Sequence, residues 1–483
     1  MTVCQTDAEL SQEVATAQDD DERPAKKQKI AKAEAAPSNV IKLAISPTQQ
    51  HAVVVTEDKC VRVFSVAGNG AIEELSQRFM PKRPCAVEVL PDGSSILCGD
   101  KFGDVYSIPL LIAKPAEDVD AAIGANGIHE VVEKKGTFKP SASTSTVHSK
   151  RNRKALEAQM AQRNFTPRKE ALQFEHKLLL GHVSMLTDMV FATTQVDGVA
   201  RPHIITADRD EHIRISRGPP QAHIIEGYCM GHTEFISSLC LVPGTDLLVS
   251  GGGDDWLGVW SWPKFELLRK IDLRASLNRL LSEKLQSSLA RAVADGKLKL
   301  GASGELPIVV SGITVAPLTA RAGTGRCLLV TLEKMPLLFA ISLEQALGSS
   351  TTDLTYNMMD MGGIPVAITY VEDSVIISFD TRQHALGRLH AYWLIEQGSP
   401  GSDSARQAEQ IRLAKFCSLE GIIGYANEGL AKRINALAVA SSPATDDKKL
   451  DALLYNTGSL RKRRGWEDAD DAGEDADAVE AEE

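Results

Sequence analysis

The sequence predicts an all-β chain folded as a β-propeller, and three observations predict it. Gly181-His182 and Gly231-His232 each open a run of alternating apolar residues that crosses a Gly/Asp turn and ends on a short strand, at 213–216 and 257–261. The two histidines are 50 residues apart, a little over the period of about 40–45 residues for one four-stranded blade, and the stretch 196–201 reads as the longer loop that makes up the excess. Weaker units of the same kind flank these two, with short Gly, Pro and Asp turns between alternating segments. A four-stranded sheet cannot bury both faces alone, so such units are stable only when stacked around a common axis.

The best unit carries the side chains of a WD repeat. His232, Ser250, Asp254 and Trp260 stand where such a blade joins a loop His, a strand Ser, a turn Asp and a strand Trp in one buried hydrogen-bonded set. Burying four polar groups is tolerable only when all are satisfied. In the preceding unit the corresponding residues are His182, Thr206 and Asp210, with Ser216 in place of Trp, so that set is incomplete. These seven residues are expected to be structural rather than catalytic.

Composition sets further bounds. The chain has 483 residues and 43% hydrophobic content, enough for a real core. Its eight cysteines are scattered without a CxxC pair, which argues against structural zinc or a disulfide framework and fits a reducing compartment. No apolar run reaches membrane length and no signal peptide is evident, so a soluble intracellular chain without membrane contact is expected. The net charge is −11. Ten acidic residues fall in the segment 467–483, leaving a nearly neutral body that predicts no bulk affinity for nucleic acid.

Taken in order, residues 1–37 are polar, Ala-rich and charged, and are expected to be disordered. They include Arg23-Pro24-Ala25-Lys26-Lys27-Gln28-Lys29, a cluster of the kind nuclear import receptors read, a plain solvated tail being the alternative. Blades 1 and 2 are expected within 38–112. Strands at 40–46, 51–56 and 61–66 have Phe64 in the Trp place, and those at 85–90, 95–98 and 104–107 have Tyr106 there. Residues 113–177 read as a low-complexity insertion whose stretch 148–169 carries seven Lys or Arg. Those charges either contact RNA phosphates or are simply solvated. Residues 178–262 hold blades 3 and 4. Residues 263–306 read as an amphipathic helical insertion, since Leu267, Ile271, Leu277, Leu280, Leu281, Leu285 and Leu289 recur at three- and four-residue steps. The remaining blades are expected in 307–440. A fifth unit has Glu333 at the Asp place, and a sixth covers 364–394. A seventh is too degenerate to place, though 403–440 has the length for it. Residues 441–466 form a C-terminal segment and 467–483 an acidic, disordered tail.

No catalytic, cofactor or metal site is readable. The glycines at 251–253 and in Ala322-Gly323-Thr324-Gly325 match neither GxGxxG nor a phosphate loop, and are expected at hairpin turns where glycine supplies positive φ. Gly-x-Ser-x-Gly, His-Glu-x-x-His and spaced metal ligands are all missing from the sequence.

The segments 181–188, 205–216 and 228–236, which include Asp208-Arg209-Asp210-Glu211-His212-Ile213-Arg214-Ile215-Ser216, closely resemble the WD-repeat non-catalytic subunit of the tRNA (guanine-N7-)-methyltransferase of fungal type. Leu454-Tyr455 and Leu460-Arg461-Lys462-Arg463 resemble its ending. The resemblance implies a seven-bladed propeller without enzymatic activity. It implies a heterodimer in which this chain binds and stabilises a separate catalytic subunit that holds S-adenosylmethionine and forms N7-methylguanosine in the variable loop of tRNA. Contact with tRNA would come mainly through the complex, and the expected location is the nucleus. The partner would dock on Arg209, Glu211, His212 and Arg214, while Asp210 belongs to the turn's internal hydrogen bonding. A generic WD scaffold of another nuclear complex is the alternative, as is a propeller enzyme active as a single chain.

Overall fold

A computed structural model describes residues 38–68, 71–112, 174–196, 198–275, 277–278, 298, 305–318, 325–348, 357–371, 374–380, 382, 389–397, 410–415 and 447–462. The expected tails at 1–37 and 467–483 and nearly all of the expected insertion at 113–177 lie outside these residues. The chain divides into two units, one of residues 1–110 and 176–483 and one of residues 111–175. Every described strand belongs to the first unit.

The described residues of that unit form six four-stranded antiparallel sheets, each from four consecutive strands. Sheet 1 comprises β1 (Val40–Ile45), β2 (His51–Thr56), β3 (Cys60–Val66) and β4 (Ile72–Phe79). Sheet 2 comprises β5 (Pro84–Val89), β6 (Ser95–Asp100), β7 (Asp104–Pro109) and β8 (Lys177–Gly181). Sheet 3 comprises β9 (Leu186–Val196), β10 (Val199–Asp208), β11 (Ile213–Arg217) and β12 (Ile225–Cys229). Sheet 4 comprises β13 (Ile236–Leu241), β14 (Leu247–Gly252), β15 (Trp256–Ser261) and β16 (Glu266–Asp272). Sheet 5 comprises β17 (Val310–Leu318), β18 (Gly325–Leu332), β19 (Leu337–Ser342) and β20 (Asn357–Asp360). Sheet 6 comprises β21 (Ile364–Val371), β22 (Ser374–Asp380), β23 (Leu389–Gln397) and β24 (Gln410–Lys415).

The first strand of each sheet packs on the first strand of the next, from β1 to β5 and on through β9, β13 and β17 to β21. The sheets therefore stack side by side with their first strands innermost, as propeller blades do. Each core cluster draws on two neighbouring sheets. Ile205, Ile213 and Ile215 of sheet 3 meet Ile236, Leu248 and Trp260 of sheet 4. Val249, Leu257 and Val259 meet Val310, Val330 and Phe339 of sheet 5 in the same way.

Several expectations are corrected. In place of the seven expected blades, the described residues hold six sheets. Part of the span assigned to a seventh unit, Gln410–Lys415, is instead the outer strand of sheet 6, paired with β23. The helical insertion expected from 263 begins as a strand, because Glu266–Asp272 pairs with β15. Leu267 and Ile271 are four residues apart, a spacing that satisfies both a helical face and one side of a strand. Further on, Leu277 and Leu298 are buried with the core between sheets 4 and 5. Residues 178–181, read as the opening of the third blade, complete the second, since β8 pairs with β7. The sequence repeat thus starts one strand before the blade it names. Finally, Gly251 and Gly252 lie inside β14 rather than at a positive-φ turn. A Cβ on Gly252 would stand 1.9 Å from the Phe235 carbonyl oxygen, so close approach of two backbones is what demands glycine there.

The described residues of the unit also include two short helices, α1 (Leu343–Gly348) and α2 (Asp447–Leu454), and 3-10 turns at Trp262–Lys264 and Thr457–Leu460. From α2 onward the chain crosses sheets 6, 5, 4 and 3 in that order. Asp451 pairs with Arg382 at 2.7 Å and the Tyr455 hydroxyl donates to Asp380 at 2.7 Å. The Gly458 N–H then donates to Glu333 at 2.7 Å, and Arg461 Nη2 to the Gly253 carbonyl at 2.8 Å. Lys462 ends at sheet 3. Burial pushes the Glu333 carboxyl above its ordinary range.

Candidate partner-binding face

Sheet 4 shows what a complete set of blade polar groups looks like. Trp260 Nε1 donates to Ser250 Oγ at 2.7 Å, which is also 2.7 Å from His232 Nε2. His232 Nδ1 lies 2.7 Å from Asp254 Oδ2, and Asp254 Oδ1 accepts the Thr233 hydroxyl at 2.6 Å. Only one tautomer serves every partner. The indole N–H points to Ser250, the Ser250 O–H to Nε2, and the Nδ1–H to the carboxylate. Burial pushes the Asp254 carboxyl up, but the bonds from His232 and Thr233 outweigh it and hold the group below its ordinary value. The His232 ring also stacks on Trp256 at 4.3 Å between centroids.

In sheet 3 the corresponding set is built differently. His182 Nε2 pairs with Thr206 Oγ1 at 2.8 Å, as expected. The carboxylate facing the other nitrogen, however, is Asp208, at 3.6 Å from Nδ1, and not Asp210. Asp208 is the last residue of β10, and its Oδ1 also accepts the backbone N–H groups of Asp210 at 2.9 Å and His212 at 3.0 Å. One carboxylate thereby braces the whole turn. Burial raises its pKa, and the bonds from His182 and His212 more than reverse that. Asp100 of sheet 2 does the same for its own turn, accepting from the N–H groups of Phe102 at 2.8 Å and Asp104 at 3.2 Å. The register of the two turns relative to their strands differs, which a count of residues from the histidine misses.

The braced turn holds Glu211 at φ 75°, in the left-handed region that a non-glycine residue rarely adopts. Lys59 in sheet 1 and Gly103 in sheet 2 sit at the same place with φ 65° and 99°. Glu211 is thus fixed at the tip of the turn, its side chain half-buried. Arg209 is half-buried beside it, its Nε donating to the Leu460 carbonyl at 2.9 Å. The His212 side chain is exposed, 3.5 Å from Asp208 Oδ1 and edge-on to Tyr228. Val183, Tyr228 and Met230 expose apolar surface on the loop and strand around the turn. Arg209, Glu211 and His212 are therefore brought together at one accessible place.

Arg214 is not. It is 7% exposed, its Nε donating to Ser216 Oγ and its Nη1 to the Gly181 carbonyl, both at 2.9 Å. Burial lowers its pKa. The cause lies in the missing tryptophan. Arg214 and Ser216 occupy the places of Gly258 and Trp260, and a Cβ on Gly258 would come within 2.5 Å of the Trp260 indole nitrogen. With only serine at 216, the space is free for an arginine two residues earlier. Arg214 therefore ties its strand to the Gly181 carbonyl of sheet 2 rather than presenting a charge to solvent.

Sequence reasoning overlooked Asp208, and it overlooked Arg461 and Lys462 as neighbours of this turn. Lys462 Nζ lies 3.2 Å from Asp210 Oδ1 and 3.0 Å from Glu211 Oε1. Arg461 pairs with Glu234 at 3.3 Å and sits over the Phe235 ring. The Asp208 brace was signalled by the parallel placement of Asp100 at the end of its strand. A contact spanning some 250 residues has no local signal. Among the described residues no group of three metal-ligating side chains occurs, and no helix is long and apolar enough to cross a membrane.

A family model described as the tRNA methyltransferase TRM82 WD40 domain matches residues 3–391. The chain belongs to the TRM82 family. A relative from Phaeosphaeria nodorum, named tRNA (guanine-N(7)-)-methyltransferase non-catalytic subunit TRM82, is 37% identical over 93% of this chain and 89% of its own length. One of the same name from Coccidioides immitis is 40% identical over 75% of this chain and 67% of its own. Another from Sclerotinia sclerotiorum is 47% identical over 53% of this chain and 48% of its own.

Proposed function

We propose that this TRM82-family chain is the non-catalytic subunit of a tRNA (guanine-N7-)-methyltransferase. It binds and stabilises, as a heterodimer, a catalytic subunit that carries S-adenosylmethionine and methylates the variable-loop guanine. Membership of the family carries the reading, and the exposed side chains around the braced turn of sheet 3 support that turn as the docking face. Arg209, Glu211 and His212 form its charged centre, Val183, Tyr228 and Met230 its apolar rim, and Arg214 and Asp208 its support. A rigid turn with alternating charge beside exposed apolar side chains suits a partner surface, since little ordering entropy remains to be lost on docking. Reaction with tRNA belongs to the complex, and the basic cluster 23–29 directs the chain to the nucleus.

The test is purification of the tagged chain from its own cells, with the co-purifying material assayed for S-adenosylmethionine-dependent N7-guanine methylation of tRNA. Activity that requires this chain together with a second, smaller protein is the expected result. Unrelated partners without such activity would show a generic scaffold, and methylation by the purified chain alone would show an enzyme.

A further inference from the structure

The same turn is already occupied, by the chain itself. The segment from α2 to Lys462 is held unevenly along its length. Its root at sheet 6 is bonded to buried groups, since the Asp380 side chain that accepts from Tyr455 is only 3% exposed. At sheets 5 and 4 it is fixed by Gly458 on the half-buried Glu333 and by Arg461 on the Gly253 carbonyl. At sheet 3 Arg209 Nε donates to the Leu460 carbonyl in a part-buried bond, and the ion pairs beyond it are wet. Lys462 is 50% exposed, Asp210 46% and Glu211 33%. The pairing with Glu211, and then with Asp210, pushes the Lys462 ammonium above its ordinary value, so the charge stays on. Solvent-exposed ion pairs contribute little and exchange readily, whereas hydrogen bonds to a buried carboxylate are kept.

We propose that the C-terminal segment is an intramolecular ligand with a fixed root and an exchangeable tip, and that Lys462 competes with the partner for Asp210 and Glu211. The inference rests on the reading of this turn as the docking face. A partner that reaches Glu211 must first lift Lys462, and one that reaches the Arg209 guanidinium must displace the Leu460 carbonyl. Displacement at the tip leaves the segment tethered at sheets 5 and 6, so the tip returns when the partner leaves. In the free chain the docked Lys462 also offsets the repulsion between these two acidic side chains on adjacent residues.

The experiment uses the full chain and the co-expressed catalytic tRNA (guanine-N7-)-methyltransferase subunit. A zero-length carbodiimide reagent is expected to join Lys462 to Asp210 or Glu211 in the free chain, and saturating catalytic subunit to suppress that product. Lys462→Ala, a surface change that leaves the sheets intact, is expected to tighten binding about three-fold at low salt, in keeping with the loss of a wet ion pair, with the gain shrinking as salt rises. An undiminished cross-link in the saturated complex overturns the competition alone, as does a Lys462→Ala chain that binds equally well or more weakly. A free chain without the cross-link overturns the contact itself. A chain that shows the cross-link but binds no catalytic subunit overturns the proposed function and the competition together.

Discussion

Arg214 donates from Nε to Ser216 Oγ at 2.9 Å, two residues along the same strand, in the space that its neighbouring blade fills with an indole. Gly258 and Trp260 are small then large, and Arg214 and Ser216 are large then small. The pair conserves volume between sheets 3 and 4, as close-packed interiors require. Arg214→Glu would point a carboxylate at the Gly181 carbonyl and is expected to cost about 2–4 kcal/mol. Ser216→Trp alone would collide with Arg214 and cost about as much. The double change Arg214→Gly with Ser216→Trp restores the arrangement of sheet 4 and should recover most of the loss in urea unfolding. A double variant no more stable than the worse single one would refute the exchange of volumes.

Ser250 is the joint of the polar set in sheet 4. Its Oγ serves both Trp260 Nε1 and His232 Nε2 at 2.7 Å. Ser250→Ala leaves two buried groups without a partner and is expected to cost about 2–4 kcal/mol. Thr206→Ala removes the partner of His182 and a long 3.4 Å bond to the Arg214 carbonyl, which already belongs to the strand ladder, and about 1–2 kcal/mol is expected. Denaturant midpoints compare the two directly. Equal losses would mean that Trp260 does not depend on Ser250.

The repeat was legible in the sequence because both of its signals are local. The short, largely buried apolar runs of β2, β6, β10 and β14 and the loop histidines His182 and His232 lie within a few residues of the turns that explain them. The outer strands were the hardest to read. β4 and β12 expose most of their side chains and carry weak alternation, while Leu267 and Ile271 of β16 fit two periods at once. At the site, Arg209, Glu211 and His212 could be placed on one turn from their adjacency. That Arg214 points inward could not, because its niche exists only through Ser216 and the strand pairing of a folded sheet. Lys462 approaches from the far end of the chain, which no periodicity reports.

Glu88 on the inner strand β5 offers a pH-dependent measure of the core around the axis. Burial first, and then the nearby Asp188 carboxylate, raise its pKa from 4.5 to about 7. The folded chain thus holds the Glu88 proton to higher pH than the unfolded chain does. Stability is expected to fall as pH rises from about 4.5 towards 7 and to level off above that. Glu88→Gln removes the penalty, so the variant should be more stable than the parent by about 3 kcal/mol at pH 8, with the difference closing towards pH 4.5. A difference that is constant across this range would place the origin elsewhere than in ionisation.

Tyr455 anchors the root of the C-terminal segment, and its removal should loosen that segment without disturbing the sheets beneath. Its hydroxyl donates to Asp380 Oδ2 at 2.7 Å. Burial, and then the carboxylate, push the phenol well above its usual range, so it remains a donor at any ordinary pH. Burial raises the Asp380 carboxyl, but the Arg382 guanidinium and then the Tyr455 hydroxyl bring it below its ordinary 3.8. Its contribution is therefore present above about pH 4 and is lost as the pH falls through the lowered value. Tyr455→Phe deletes one hydrogen bond to a charged acceptor, about 1.5–3 kcal/mol, which is a 10- to 100-fold faster opening of residues 447–462 by amide hydrogen exchange. Exchange in β14 and β18 should be unchanged. In the parent chain the same amides should lose protection below about pH 4 once intrinsic exchange rates are allowed for, and in the variant that loss should be smaller, because one bond to Asp380 is already gone. Uniform acceleration across all sheets would mean that the segment is part of the global folding unit rather than a ligand laid upon it.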